Sequence, residues 1–161
     1  MSIAACAAQV ERGDPDRFRT VMAAPVAARA RLFPLYAFNL EVSRAPWITK
    51  EPMIAEMRLQ WWRDVIDEID AGKPPRAHEV VSPLAQVMAE TALETGPLRA
   101  LVEARRWDIY REPFADEAAF AAHLDLSAGS LMWAAAQALG ADQAHEATLR
   151  DIGWAAGLVA W

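Results

Sequence analysis

Glu51-Pro52-Met53-Ile54-Ala55-Glu56-Met57-Arg58-Leu59-Gln60-Trp61-Trp62-Arg63-Asp64-Val65-Ile66-Asp67-Glu68-Ile69-Asp70-Ala71-Gly72 is the stretch whose periodicity decides the fold class. Leu59, Trp62, Ile66 and Ile69 recur at helical spacing, and Met53, Met57, Trp61 and Val65 widen the apolar surface. Thr49 stands before the segment and Gly72 after it, which predicts one long helix over 51–71. Glu56, Gln60, Arg63 and Asp67 fall on one face of that helix. Two readings stay open for this polar stripe: a solvated face, or the wall of a pocket between helices.

The same signals extend in both directions. Asp14-Pro15, Pro25 and Ser82-Pro83 read as helix starts, and Gly72, Gly96 and Gly140 as stops. The pattern predicts helices over 2–11, 15–23, 26–45 with a bend or break at Pro34, 51–71, 83–94, 97–111, 116–139 with a break near Ser127–Gly129, and 143–161. Alanine supplies about a fifth of the residues, and no segment alternates with period two, so the expected class is all-α with about eight helices. No repeat or low-complexity linker divides the 161 residues, and a single domain over 1–161 is expected.

Composition narrows the function. With 54% hydrophobic residues the chain can bury a core, and a net charge of −6 gives no broad support for nucleic-acid binding. The lone Cys6 and a start without basic residues point to a reducing, cytoplasmic location, with attachment at a membrane surface left open. The charge-free run Leu126–Ala141 falls short of the about 20 apolar residues a spanning helix needs, so no transmembrane segment is expected. His78, His123 and His145 are scattered without zinc spacing and read as surface or capping residues. Asp64 and Asp67, three apart, could share a Mg²⁺ ion, or form a solvated helix end with Glu68 and Asp70. Arg105-Arg106-Trp107-Asp108 offers either an anion site or charge compensation at a helix terminus. The small residues Gly153, Gly157 and Ser127–Ser130 predict close approach of two helices.

Ala24-Pro25-Val26-Ala27-Ala28-Arg29 followed by Phe33-Pro34-Leu35-Tyr36-Ala37-Phe38 resembles the opening of the squalene/phytoene synthase family. Trp107-Asp108 leading into His123-Leu124-Asp125-Leu126-Ser127-Ala128-Gly129-Ser130-Leu131 resembles a later family segment. Asp151-Ile152-Gly153-Trp154-Ala155-Ala156-Gly157-Leu158 resembles the helix that introduces the family's second aspartate-rich motif. The resemblance implies an isoprenoid-synthase-like helical bundle, incomplete here, corresponding to the N-terminal part of the family fold. It also implies a large apolar cavity in which Mg²⁺, held by two aspartate-rich segments, bridges prenyl diphosphates.

The chain departs from that pattern where paired aspartates belong. Asn39-Leu40-Glu41-Val42-Ser43-Arg44 follows Phe38, which puts Ser43 and Arg44 in place of the acids. In this the chain resembles a divergent branch that includes assembly factors of respiratory complex I. The resemblance then implies a degenerate, non-catalytic protein that binds an isoprenoid or lipid-like molecule, or a protein partner during complex assembly. The candidate binding residues are Tyr36, Asn39, Arg44, Glu56, Gln60, Arg63 and Asp108, with no metal site and no cofactor. The alternative is a Mg²⁺-dependent head-to-head prenyltransferase whose acids are Glu41, Asp64 and Asp67. Were the chain to end at Trp161, helices lacking their usual neighbours would expose apolar surface, and self-association is expected.

Overall fold

A computed structural model describes residues 2–161 and is all-α. Its helices are α1 (Ile3–Gly13), α2 (Pro15–Ala23), α3 (Val26–Arg44), α4 (Pro52–Asp70), α5 (Val81–Glu90), α6 (Thr95–Ala104), α7 (Arg106–Tyr110), α8 (Glu117–Leu124), α9 (Ser130–Ala138) and α10 (Glu146–Ala160). A π turn, Asp125–Gly129, joins α8 to α9, and a 3-10 turn, Gln143–His145, leads into α10. Side-chain caps fix the starts: Asp14 accepts from the Arg17 N–H, and Asp116 accepts from the Ala119 N–H. Gly72 and Gly140 end their helices with φ of +68° and +91°, the left-handed conformation that favours glycine.

The central element is α3, whose residues from Leu32 to Val42 are buried on nearly every side. It packs against α1, α2, α5, α6 and α9, as expected of a helix that is apolar all round. Leu35, Phe38 and Val42 meet Leu59, Trp62 and Ile66 of α4, Leu84 of α5 and Leu98 and Leu101 of α6 in one core. The edge of Trp62 meets Phe38 at 5.3 Å between ring centres, a favoured aromatic geometry.

Four expected boundaries are corrected. The chain remains helical through Pro34, because burial of α3 outweighs one missing N–H donor. The 116–139 segment is not broken at Ser127–Gly129; it widens into the π turn and continues. The 97–111 segment is two helices, separated at Arg105, whose N–H bonds back to the Val102 carbonyl. Gly96 lies in the first turn of α6 and stops nothing; α5 ends at Glu90, after which the Thr91 hydroxyl donates to the Val87 carbonyl and accepts from the Leu93 N–H.

The glycines of α10 act as anticipated. A Cβ on Gly153 would lie 2.5 Å from the Ala128 carbonyl oxygen and 2.6 Å from the Met132 Cβ, and one on Gly157 would lie 2.5 Å from the Ala128 Cβ. The π turn therefore nests directly against the α10 backbone. Arg150 clamps this contact, pairing with Asp125 at 3.2 Å and Glu146 at 2.8 Å and donating to the Ser130 hydroxyl. Among the described residues no helix is long and apolar enough to cross a membrane.

Candidate functional site

The polar stripe of α4 engages α6 and α7. Glu56 pairs with Arg106, Arg63 with Glu103, and Asp67 with Arg99, which also reaches Asp70. Gln60 donates to Asp64, and Glu68 receives a two-pronged bond from Arg76. The acidic end of α4 is thus spent on neighbouring arginines, largely at the surface. Glu41 accepts from Gln9 of α1, and Arg44 is exposed without an ion-pair partner among the described residues.

A different set of residues forms a half-open cavity of about 340 Å³, bounded by α3, the α6–α7 junction, the π turn and α10. Asn39 and Ser43, one helical turn apart, face it from α3; Arg105 reaches it from the α6–α7 junction; Asp14 and Arg17 close one side. Leu40, Leu124, Ala128, Leu131, Ala160 and Trp161 supply its apolar wall, beside His123 and Ser127, whose hydroxyl donates to the His123 carbonyl. Tyr36 stands in an adjoining recess beneath the Arg17 guanidinium, 5.5 Å from its ring centre, and burial raises its phenol pKa.

Three buried polar atoms have no hydrogen-bond partner among the described residues: Asn39 Oδ1, Ser43 Oγ and Arg105 Nε. All three residues line this one cavity. Buried polar groups are ordinarily satisfied, so three orphans in one place point to an occupant. The open hollow between the end of α4, α5 and the start of α6 is larger, about 770 Å³. Its Arg99 and Asp70 pair with each other and its Glu94 with Gln137, and it holds no orphaned atom. Size alone therefore points to the wrong place.

The electrostatics of the cavity are balanced. Asp14 is bound by the Arg17 guanidinium and N–H, and Asp108 pairs with Arg105 at 3.3 Å. His123 is buried, contrary to its expected surface role, because α8 presses it against Trp107, Phe114 and Trp161 at 5.3–5.5 Å. Burial pushes its pKa below the usual 6.5, outweighing the opposite pull of Asp108. A histidine neutral in the folded state binds fewer protons than it does unfolded, so stability falls as pH drops below about 6.5. Melting curves from pH 7.5 to 5.5 are expected to show this fall, and His123→Gln to flatten part of it.

Of the sequence candidates, only Asn39 lies in this cavity, with Tyr36 beside it and Asp108 behind Arg105. Arg17, Arg105 and His123 were not among them. The available signal was the Arg105-Arg106-Trp107-Asp108 segment, which offered an anion site or helix-end compensation with no indication of which arginine turns inward.

The family model described as squalene/phytoene synthase matches residues 10–160. The chain belongs to the squalene/phytoene synthase family. Its all-α architecture is the isoprenoid-synthase-like bundle of that family. Among similar proteins is the Drosophila melanogaster "NADH dehydrogenase (ubiquinone) complex I, assembly factor 6 homolog", 34% identical over 105 residues, covering 62% of this chain and 31% of that protein. The Bos taurus and Homo sapiens proteins named "NADH dehydrogenase (ubiquinone) complex I, assembly factor 6" are each 23% identical over 155 residues, covering 96% of this chain and 46% of theirs. The chain thus spans less than half the length of these relatives. No solved structure matches it.

The squalene/phytoene synthase family implies Mg²⁺ in such a cavity, an ion that demands hard oxygen ligands and several of them. The lining offers one carboxylate, Asp14, already committed to Arg17, beside the guanidinium of Arg105. These residues do not fit the ion. At the position where the family places an acid, the side chain facing the cavity is the Ser43 hydroxyl.

Proposed function

We propose that this protein is a squalene/phytoene synthase-type scaffold that does not transfer prenyl groups and that works in the assembly of a respiratory NADH dehydrogenase complex, alongside protein partners of that complex. The observation carrying this reading is the cavity wall itself. Asn39, Ser43, Arg17 and Arg105 line it, and its one carboxylate, Asp14, is already paired with Arg17. The similarity to complex I assembly factors in three animals supports the assembly half of the reading. Domain organisation follows the same proposal: residues 1–161 form one unit equivalent to the N-terminal part of the family fold.

Two measurements test it. Deleting the gene is expected to lower the amount of assembled NADH dehydrogenase on native gels, with recovery on re-expression; an unchanged amount overturns the assembly role. The purified protein incubated with Mg²⁺ and farnesyl or geranylgeranyl diphosphate is expected to yield no C30 or C40 hydrocarbon. Formation of either product overturns the non-catalytic reading and favours a prenyltransferase using Glu41, Asp64 or Asp67.

A further inference from the structure

The three orphaned atoms specify what would satisfy them. Arg105 Nε is a donor and requires an acceptor; Asn39 Oδ1 is an acceptor and requires a donor; Ser43 Oγ can serve either way. Asn39 is only 5% exposed, so bulk water does not reach it freely. One hydroxyl group supplies both a donor hydrogen and acceptor lone pairs, and so answers all three.

A diphosphate does not. At neutral pH it presents acceptors almost exclusively, which would set oxygen against Asn39 Oδ1. Its charge would also be uncompensated, since Arg17 is paired with Asp14 and Arg105 with Asp108, and His123 is held neutral by burial. Apart from Ser127, whose hydroxyl is bonded to the His123 carbonyl, the remainder of the lining is apolar and ends at the rings of Trp161 and His123. A volume of about 340 Å³ suits a head group with a short apolar chain.

We infer that the cavity binds an uncharged amphiphile, a hydroxyl-bearing head on an apolar chain, by direct hydrogen bonds to Asn39, Ser43 and Arg105 and without a divalent cation. This rests on the non-catalytic reading above and names the ligand class of that same site. The hydroxyl donates to Asn39 Oδ1 and accepts from Arg105 Nε, with Ser43 Oγ bridging. The chain lies along Leu40, Leu124 and Leu131 toward Trp161. Because each lining guanidinium already has a carboxylate partner, an anionic head gains little attraction to offset the loss of its hydration.

Farnesol and farnesyl diphosphate, which share one chain and differ in the head, are the probes. Their affinities for the purified protein are measured by calorimetry, with and without Mg²⁺, and product formation is assayed in the same samples. Farnesol is expected to bind at least about tenfold more tightly than the diphosphate, independently of Mg²⁺. Ser43→Ala and Asn39→Leu, each checked for an unchanged circular dichroism spectrum, are expected to weaken farnesol binding by about tenfold, the usual scale for one lost hydrogen bond. Tighter binding of the diphosphate, dependence on Mg²⁺, or unchanged affinity in both variants overturns the inference. So does failure of farnesol to bind, which would leave the cavity to water alone. None of those results creates a hydrocarbon product, so they are distinguishable from failure of the non-catalytic reading.

Discussion

Trp62→Ala is expected to destabilise the folded chain by about 3–5 kcal/mol. The ring is 4% exposed and meets Phe38, Trp61 and His78 at 4.8–5.3 Å, so no single neighbour can collapse into the space it leaves. It is also the main aromatic bridge between α3 and α4. At about 2–4 °C per kcal/mol for a chain of this size, the melting temperature should fall by roughly 6–20 °C. Thermal denaturation followed by circular dichroism measures this. A fall of under about 3 °C would mean that α3 and α4 are held together elsewhere. Trp62→Phe, which keeps an aromatic edge against Phe38, is expected to lose much less.

Gly153→Leu is the second large effect, and its origin is the opposite one, too much volume in place of too little. The added Cβ meets the Ala128 carbonyl at 2.5 Å and the Gly129 Cα at 3.0 Å, and backbone cannot step aside as a side-chain tip can. Separation of α10 from the π turn is expected to cost about 3 kcal/mol. Gly153→Ala is informative beside it: alanine favours a helix over glycine by about 1 kcal/mol, so an isolated α10 would gain. Net destabilisation by the alanine variant shows that the contact outweighs the propensity. Since α10 also carries Ala160 and Trp161 to the cavity, Gly153→Leu should weaken the proposed farnesol binding as well as lower the melting temperature.

How far the sequence could be read varies with the origin of each feature. The helices expected at 15–23 and 26–45 follow from local signals, a Pro at or just before the first turn and an Asp cap, and they emerged almost residue for residue. The Gly153 and Gly157 contact was equally readable, because residues four apart share one helix face. Pro34 misled because propensity reports a local cost and is blind to the burial that offsets it. The π turn was invisible for a similar reason: Ser127 and Ser130 bond back to the His123 and Asp125 carbonyls, a choice made by α10 pressing from outside. The cavity lay furthest from view. Asn39 and Ser43 sit in one helix, but Arg105 and Trp161 come from elements distant in sequence, and nothing local shows which way Arg105 turns. The α4 stripe failed differently: its spacing was right, but the arginines that neutralise it belong to α6 and α7.

The single thiol of the chain carries a last consequence. Cys6 is fully buried on α1, its Sγ 3.8 Å from the Glu79 carbonyl, and burial lifts its pKa to about 11. In that setting it is both inaccessible and almost entirely in the unreactive thiol form. Reaction with an alkylating reagent therefore waits until α1 lifts away from α3 and from the segment around Glu79. With one thiol in the chain there is one signal and no background from other cysteines. The chain thus carries its own clock for local opening, and the alkylation rate measures how often its first helix leaves the fold.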